Sequence, residues 1–357
     1  MRKIIHFEST SRCNAACPMC IRNVNGKGCT VSLSDLSLES YQYYVTKNLD
    51  TLEKIFFCGN VGDPCADKNL LEKISWTKKL NTDIVIGINT NGSIRNTKWW
   101  QDCANLLKGQ YDYVVFSIDG LQDTNHIYRV GVQFKKVMEN AQAYINEGAS
   151  AHWDMLVFEH NKHQIEQCKR LARNMGFTWF RSKETDRWDE YSFEHIKPAN
   201  KYKVIDYQSV NNIQCERNQE QSTFVDFQGQ EFPCCHIAEV YHAKKQRNKD
   251  ILQFTPEQLM YEYQKKLDST PFFVCKRTCG VTVNKRSQWK QEIQLKQETN
   301  MSHDKIIEAY ETYLKESESF ETKGIKAAAA RARKALGELG KLAKARRAEI
   351  QEKKNNM

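Results

Sequence analysis

Lys3-Ile4-Ile5-His6-Phe7 runs directly into Glu8-Ser9-Thr10-Ser11-Arg12-Cys13-Asn14-Ala15-Ala16-Cys17-Pro18-Met19-Cys20. A short β-branched and aromatic run thus ends in a loop carrying three thiols within eight residues. The same kind of run recurs at 54–58, 83–89, 113–118, 152–158 and 178–181, and each reads as a strand. Helix-compatible stretches at 36–47, 68–80, 98–107, 133–146 and 164–175 separate them, with Gly148 and Gly176 just past two of the helices, where a left-handed cap belongs. Six strands alternating with helices predict an α/β fold with right-handed crossovers and a parallel sheet. The strands are short and mostly apolar, as strands covered on both faces are. Such a sheet curls as a partial (β/α)6 version of the TIM-like barrel, whose chemistry gathers at the carboxyl ends of the strands.

Composition narrows the class. The chain has 357 residues, 40% hydrophobic and 27% charged, with 13 cysteines. Its length fits about two to three domains. No apolar run approaches the ~18–20 residues of a membrane helix, so no membrane role is expected. The beginning of the chain lacks a long apolar stretch, which makes a reducing, cytoplasmic compartment the expectation. An odd, clustered set of cysteines points to metal or cluster ligation over a disulfide framework. The formal charge is +9, and residues 323–354 hold eleven Lys/Arg against three Glu. The excess is therefore in the tail, and the body has no global basic character suited to a phosphate backbone. The tail (Lys326-Ala-Ala-Ala-Ala-Arg331-Ala-Arg333-Lys334, then Leu336, Leu339 and Leu342) is helix-favouring and resembles lysine/alanine-rich, histone-like bacterial segments. Three readings of it stand open: a solvated helix, nucleic-acid contact through this tail only, or docking on a partner.

The loop Cys13-x3-Cys17-x2-Cys20 has no His or fourth Cys at zinc spacing. Three thiolates suit a [4Fe–4S] cluster, each holding one iron and leaving the fourth open. A CxxxCxxC loop after the first strand of a βα series resembles the radical S-adenosylmethionine (radical SAM) superfamily. By that resemblance the open iron binds the amino and carboxylate groups of SAM. An electron then cleaves the sulfonium to methionine and a 5′-deoxyadenosyl radical, which abstracts a substrate hydrogen. The residue before the last Cys is usually aromatic in that family and here is Met19, which still supplies apolar cover.

Other strand ends extend the resemblance. Phe57-Cys58-Gly59-Asn60-Val61-Gly62-Asp63-Pro64 occupies the place of the family's Gly-Gly-Glu-Pro turn, stretched by Asn60-Val61. The resemblance implies that Gly59, Gly62 and Asp63 receive the SAM amino group. Asn89-Thr90-Asn91-Gly92 resembles the segment lining the SAM site. Ser117-Ile118-Asp119-Gly120 with Asn125-His126-Ile127-Tyr128-Arg129 resembles a stretch common in SPASM-type enzymes, with the family His falling on Asn125. It implies that Ser117 and Asp119 bond ribose hydroxyls and that Arg129 pairs with the methionine carboxylate.

A second set, Cys215…Gly229-x4-Cys234…Cys275-x3-Cys279, resembles the start and end of a SPASM domain. The central Cys-x2-Cys is missing, which leaves the truncated, Twitch-like version and one auxiliary [4Fe–4S] cluster held by Cys215, Cys234, Cys275 and Cys279. Cys235 is an alternative ligand, and a four-Cys zinc site fits the same count. Cys29, Cys58, Cys65, Cys103 and Cys168 read as apolar packing residues.

The expected organisation is a radical SAM core (1–182), a connector (183–214), a Twitch/SPASM-like auxiliary-cluster domain (215–282) with a hairpin from 222–227 into 230–233, a helical segment (283–321) and a basic Ala/Lys-rich tail (322–357). The expected function is hydrogen abstraction that modifies a peptide or protein, with reduced flavodoxin or ferredoxin as electron donor. The alternatives are oxidation or rearrangement of a small molecule of sugar or nucleoside type, and a non-catalytic metal-binding scaffold with a nucleic-acid-binding tail.

Overall fold

The computed structural model describes residues 2–23, 31–185, 188, 195–200, 210, 213–243, 249–267, 269–280, 290–294 and 301–355. Cys29 and much of the expected connector lie outside them. The chain divides into two compact units, 1–294 and 295–357.

In the first unit β1 (Ile4–Phe7), β2 (Lys54–Phe57), β3 (Val85–Thr90), β4 (Tyr113–Ser117), β5 (Ala151–Val157) and β6 (Trp179–Glu184) alternate with α1 (Leu38–Asn48), α2 (Leu70–Leu80), α3 (Thr97–Leu106), the short α4 (Asn125–Tyr128), α5 (Phe134–Asn146) and α6 (Ile165–Met175). All six strands pair in parallel, each with the next. Local chemistry sets the boundaries: Ser37 caps α1 by accepting from the Ser40 N–H, Asn96 caps α3 by accepting from the Trp99 N–H, and Gly176 closes α6 at φ +91°.

The cysteine-rich stretch is continuous with this sheet. β7 (Ser222–Val225) pairs in parallel with β1, and β8 (Glu231–Phe232) returns antiparallel to β7, so the expected hairpin forms as an extension of the sheet. Around it stand α7 (Glu216–Glu220), α8 (Cys235–His242), α9 (Lys249–Leu252), α10 (Pro256–Leu267) and α11 (Phe273–Cys279). At the far edge β9 (Lys290–Gln294) pairs antiparallel with β6. This stretch falls in the segment 283–321 expected to be helical; over 290–294 the ladder on β6 overrides that expectation, and the helix is described from Met301 on. The second unit is a helical hairpin of α12 (Met301–Lys323) and α13 (Lys326–Asn355), closed through Gly324 at φ +64°. Ala309, Ala328, Ala332 and Ala335 are buried in it, and Arg331 pairs with Glu316 at 2.8 Å.

One face of the sheet packs on the helices through Phe116, Trp153 and Phe180, with Trp100 of α3 and Tyr144 of α5 against Phe116. The alternate residues line the other face. There His6 meets Phe56, Phe56 meets Tyr113, and Tyr113 stacks on His152 at 4.8 Å. Gly87 sits between Phe56 and Tyr113, where a Cβ would come within 2.6 Å of the Tyr113 ring. This aromatic layer floors the space beneath the carboxyl ends.

Candidate active site

Cys13, Cys17 and Cys20 lie in the loop after β1, all as free thiols. The loop is tightly turned: the Cys20 N–H donates to the Cys17 carbonyl at 3.0 Å, and the Ala16 N–H donates to the Val130 carbonyl at 2.9 Å. Two side chains from other strand ends reach the sulfurs. Asn91 Nδ2 lies 3.7 Å from Cys13 Sγ, and Arg129 Nη1 lies 4.0 Å from Cys17 Sγ. Met19 is fully buried in an apolar group with Cys17, Tyr128, Phe158 and Ile196, so it gives the cover expected of it. Burial, with Asp63 adding, pushes the Cys13 thiol up to about 12; a coordinating metal would deprotonate it.

The turn after β2 is held by a residue that sequence reasoning missed. The Glu8 carboxylate is 1% exposed and accepts from the backbone N–H groups of Asn60 (3.1 Å), Val61 (3.0 Å) and Gly62 (2.7 Å). Burial outweighs these bonds and pushes Glu8 up to about 8. The turn also abuts the cysteine loop. The Asp63 N–H donates to the Arg12 carbonyl at 2.7 Å, and a Cβ on Gly62 would fall 1.9 Å from the Thr10 carbonyl oxygen. A Cβ on Gly59 would meet the Asn89 carbonyl oxygen at 3.4 Å.

Asp63 joins two of the turns. Its carboxylate accepts from the Cys65 N–H (3.0 Å), the Thr90 hydroxyl (2.9 Å) and the Asn91 N–H (2.8 Å), which braces the β2 turn against the β3 turn. Asn91 in turn donates to Asn14 Oδ1 at 2.9 Å, and Asn14 donates to Ser93 at 2.8 Å. The Asn89-to-Gly92 segment therefore clamps the cysteine loop. Three polar atoms at these strand ends, Ser9 Oγ, Asn60 Nδ2 and Asn89 Oδ1, are buried with no hydrogen-bond partner. Orphaned polar groups of this kind mark a place for a ligand or water.

Asp119 and Arg129, expected to touch separate ends of SAM, are paired with each other. Arg129 Nε donates to Asp119 Oδ2 at 2.6 Å, while Asp119 Oδ1 accepts from the Leu156 N–H at 2.6 Å. Burial raises the Asp119 pKa and Arg129 opposes it. Ser117 ends β4, in register with Asp154 on β5 and, through it, Arg181 on β6. Asp154 and Arg181 form a two-point ion pair at 2.7 and 2.6 Å.

The second cysteine set gathers beside the sheet extension. Cys215 and Cys234 directly precede α7 and α8, and Cys275 and Cys279 stand one turn apart on α11. The Gln214 N–H donates to the Cys279 carbonyl at 3.0 Å. Burial raises the Cys275 thiol first, and Cys234, Cys279 and Cys215 each add to it. Cys235 acts on both Cys234 and Cys58. Arg217 lies 4.4 Å over the Tyr263 ring, its positive charge influenced by Cys234 and Cys215. Cys58, Cys65, Cys103 and Cys168 are buried, as packing residues are. Among the described residues no three His, Cys, Asp or Glu side chains converge on a single ion.

The residues suit the implied cofactors. Three free thiols on one loop, with N–H donors aimed at two of the sulfurs and an apolar lid, have the chemistry of an iron–sulfur cluster site. Unpaired buried polar atoms at adjoining strand ends leave room for the hydrogen bonds of a polar ligand.

Comparison with known proteins agrees. Residues 7–172 match the Radical SAM superfamily, and residues 301–356 match the Histone H1-like protein Hc1 family. The chain is 24% identical over 189 residues to the tungsten-containing aldehyde ferredoxin oxidoreductase cofactor-modifying protein of Pyrococcus furiosus, covering 49% of each chain. It thus spans about half the length of the curated relative it matches. The fold is similar to SuiB of Streptococcus suis bound to S-adenosylmethionine, with TM-score 0.52, 14% identity and coverage of 80% of this chain and 74% of that one. It is also similar to anSMEcpe with bound AdoMet, with TM-score 0.50, 14% identity and coverage of 82% and 92%. Over residues 7–172, a little under half of its length, this chain is similar to the radical SAM superfamily of enzymes.

Proposed function

We propose that this chain cleaves S-adenosylmethionine reductively at a [4Fe–4S] cluster held by Cys13, Cys17 and Cys20, and abstracts a hydrogen atom from a peptide or protein. The observation that carries the reading is convergence. The three-thiol loop, the Glu8-held turn, the Asn91 clamp and the Asp119–Arg129 pair all meet at the carboxyl ends of β1 to β4. When bound, the cluster supplies the electron that breaks the sulfonium bond. The protein's part is placement and exclusion. Asn91 and Arg129 direct N–H groups at two sulfurs, which favours thiolate over thiol. Met19, Tyr128 and Phe158 keep water from the loop. Asp119 fixes the Arg129 fork through Nε and Nη1 is aimed at Cys17, leaving Nη2 to meet an anionic group such as a carboxylate.

Cys215, Cys234, Cys275 and Cys279 form the donor set of a single auxiliary [4Fe–4S] cluster in this reading, supported by their mutual influence on Cys275. The peptide substrate rests on the SPASM-type order of those cysteines and of Ser117-Ile118-Asp119-Gly120. Reduced flavodoxin or ferredoxin supplies the electron, in the cytoplasm. The test is direct: protein reconstituted anaerobically with iron and sulfide, reduced with dithionite and given SAM releases 5′-deoxyadenosine and methionine in equal amounts. Iron-loaded protein that leaves SAM intact would overturn the proposal.

A further inference from the structure

The buried Glu8 side chain accepts from the Cys58 thiol at 3.8 Å and is held by three consecutive backbone N–H groups of the turn after β2. In a trans peptide the carbonyl of one residue points opposite to the N–H of the next; none of the peptide bonds is cis. Fixing the amides of Asn60, Val61 and Gly62 on Glu8 therefore turns the carbonyls of Gly59, Asn60 and Val61 away from it. Those carbonyls are acceptors only, the complement of an ammonium group. The acid of the turn itself is not available for that work in the same way, because Asp63 is engaged by Cys65, Thr90 and Asn91. Gly62 cannot drift either, since its α-carbon is packed on the Thr10–Arg12 backbone.

We infer that Glu8 is a positioning residue for SAM: by gripping the amides of Asn60, Val61 and Gly62, it presents the opposed carbonyls to the amino group of the methionyl end. The inference rests on the reading that residues 7–172 bind SAM, and it assigns the amino-group cradle to a residue of β1's end instead of to the turn's own acid. Glu8 acts through the turn and touches no reacting atom. The two-residue insertion then has a physical reason: two of the three amides that Glu8 satisfies, those of Asn60 and Val61, belong to it.

The test compares wild-type protein, reconstituted anaerobically, with Glu8→Gln. Glutamine keeps the size of the side chain and one acceptor oxygen, but sets an amide N–H₂ against one of the three turn N–H groups. Affinities are measured for SAM and for 5′-methylthioadenosine, which has the adenosine and sulfur but no methionyl amine. The expected result is a loss of ~10-fold or more in SAM affinity, the scale of one lost hydrogen bond, with 5′-methylthioadenosine affinity and iron content unchanged. Equal SAM affinity in the two proteins overturns the inference and leaves the SAM-binding reading standing. Equal weakening of both ligands, or lost iron, makes Glu8 a merely structural brace and also overturns it. Wild-type protein that is loaded with iron but does not bind SAM overturns both. If Glu8→Gln does not fold, Glu8→Asp probes the same grip with the acid kept and its reach shortened by one methylene. SAM affinity must then fall ~10-fold or more with 5′-methylthioadenosine affinity unchanged, and equal SAM affinity overturns the inference.

Discussion

Gly62→Ala isolates the contact that joins the β2 turn to the cysteine loop. The new Cβ would lie 1.9 Å from the Thr10 oxygen, 2.7 Å from the Thr10 carbonyl carbon and 2.9 Å from the Arg12 oxygen, all backbone atoms. No side-chain rotation relieves this, so the turn and the loop must part by more than an ångström. Two bonds oppose the movement, Gly62 N–H to Glu8 and Asp63 N–H to Arg12, both at 2.7 Å. Overpacking costs roughly 1–3 kcal/mol and each of the two lost hydrogen bonds about 0.5–1.5 kcal/mol. We therefore expect a loss on the order of 4 kcal/mol, together with weaker iron loading. Gly148→Ala is the control: its φ of +81° strains any side chain, but nothing lies within 4 Å. That variant should lose only about 1–2 kcal/mol and load iron normally. Urea unfolding of the apo-proteins and iron analysis after reconstitution read both effects. If Gly62→Ala proves no costlier than Gly148→Ala and loads iron equally well, the close approach has no energetic weight and the reasoning fails.

Cys275→Ser should lower bound iron by about four atoms per chain while Cys235→Ser changes nothing; equal losses in the two would break the four-cysteine assignment. Burial first, then Arg181 and Lys54, holds His152 down to about 3, so it stays neutral in the fold while the unfolded chain takes up a proton below about 6.5. Its stabilising effect is therefore present at pH 7 and is lost as pH falls toward 3, by at most about 1.4 kcal/mol per pH unit; the stability difference between wild type and His152→Phe, measured by urea unfolding at pH 7 and pH 5, must shift in that direction, and a pH-independent difference refutes it. Deleting residues 295–357, which form a compact unit of their own, should leave SAM cleavage unchanged, and a collapse of cleavage would show that the hairpin serves the core.

What the sequence disclosed followed the range of the forces involved. The six parallel strands and five of their helices were legible because apolar periodicity, caps such as Asn96 and the stop at Gly176 are local signals. The hairpin after residue 222 was legible from its turn, but its parallel pairing with β1 was not, since Ile4 and Ser222 meet only through the closed fold. β9 was misread because its strand character comes from the β6 edge. At the site, the three thiols declared themselves by spacing. The partners of Asp63, Asp119 and Arg129 did not, because a charged residue at a strand end has the same sequence signature whether it faces a ligand or a neighbouring turn. Glu8 had a faint signal that went unused: a lone carboxylate directly after a buried strand must be bonded or neutral.

The most direct test of the central claim is the electron paramagnetic resonance spectrum of anaerobically reconstituted, dithionite-reduced protein recorded with and without SAM. The account predicts a reduced [4Fe–4S] signal that changes on SAM addition and disappears in the variant with Cys13, Cys17 and Cys20 replaced by alanine. A spectrum indifferent to SAM, or one that survives loss of the three thiols unaltered, would contradict it.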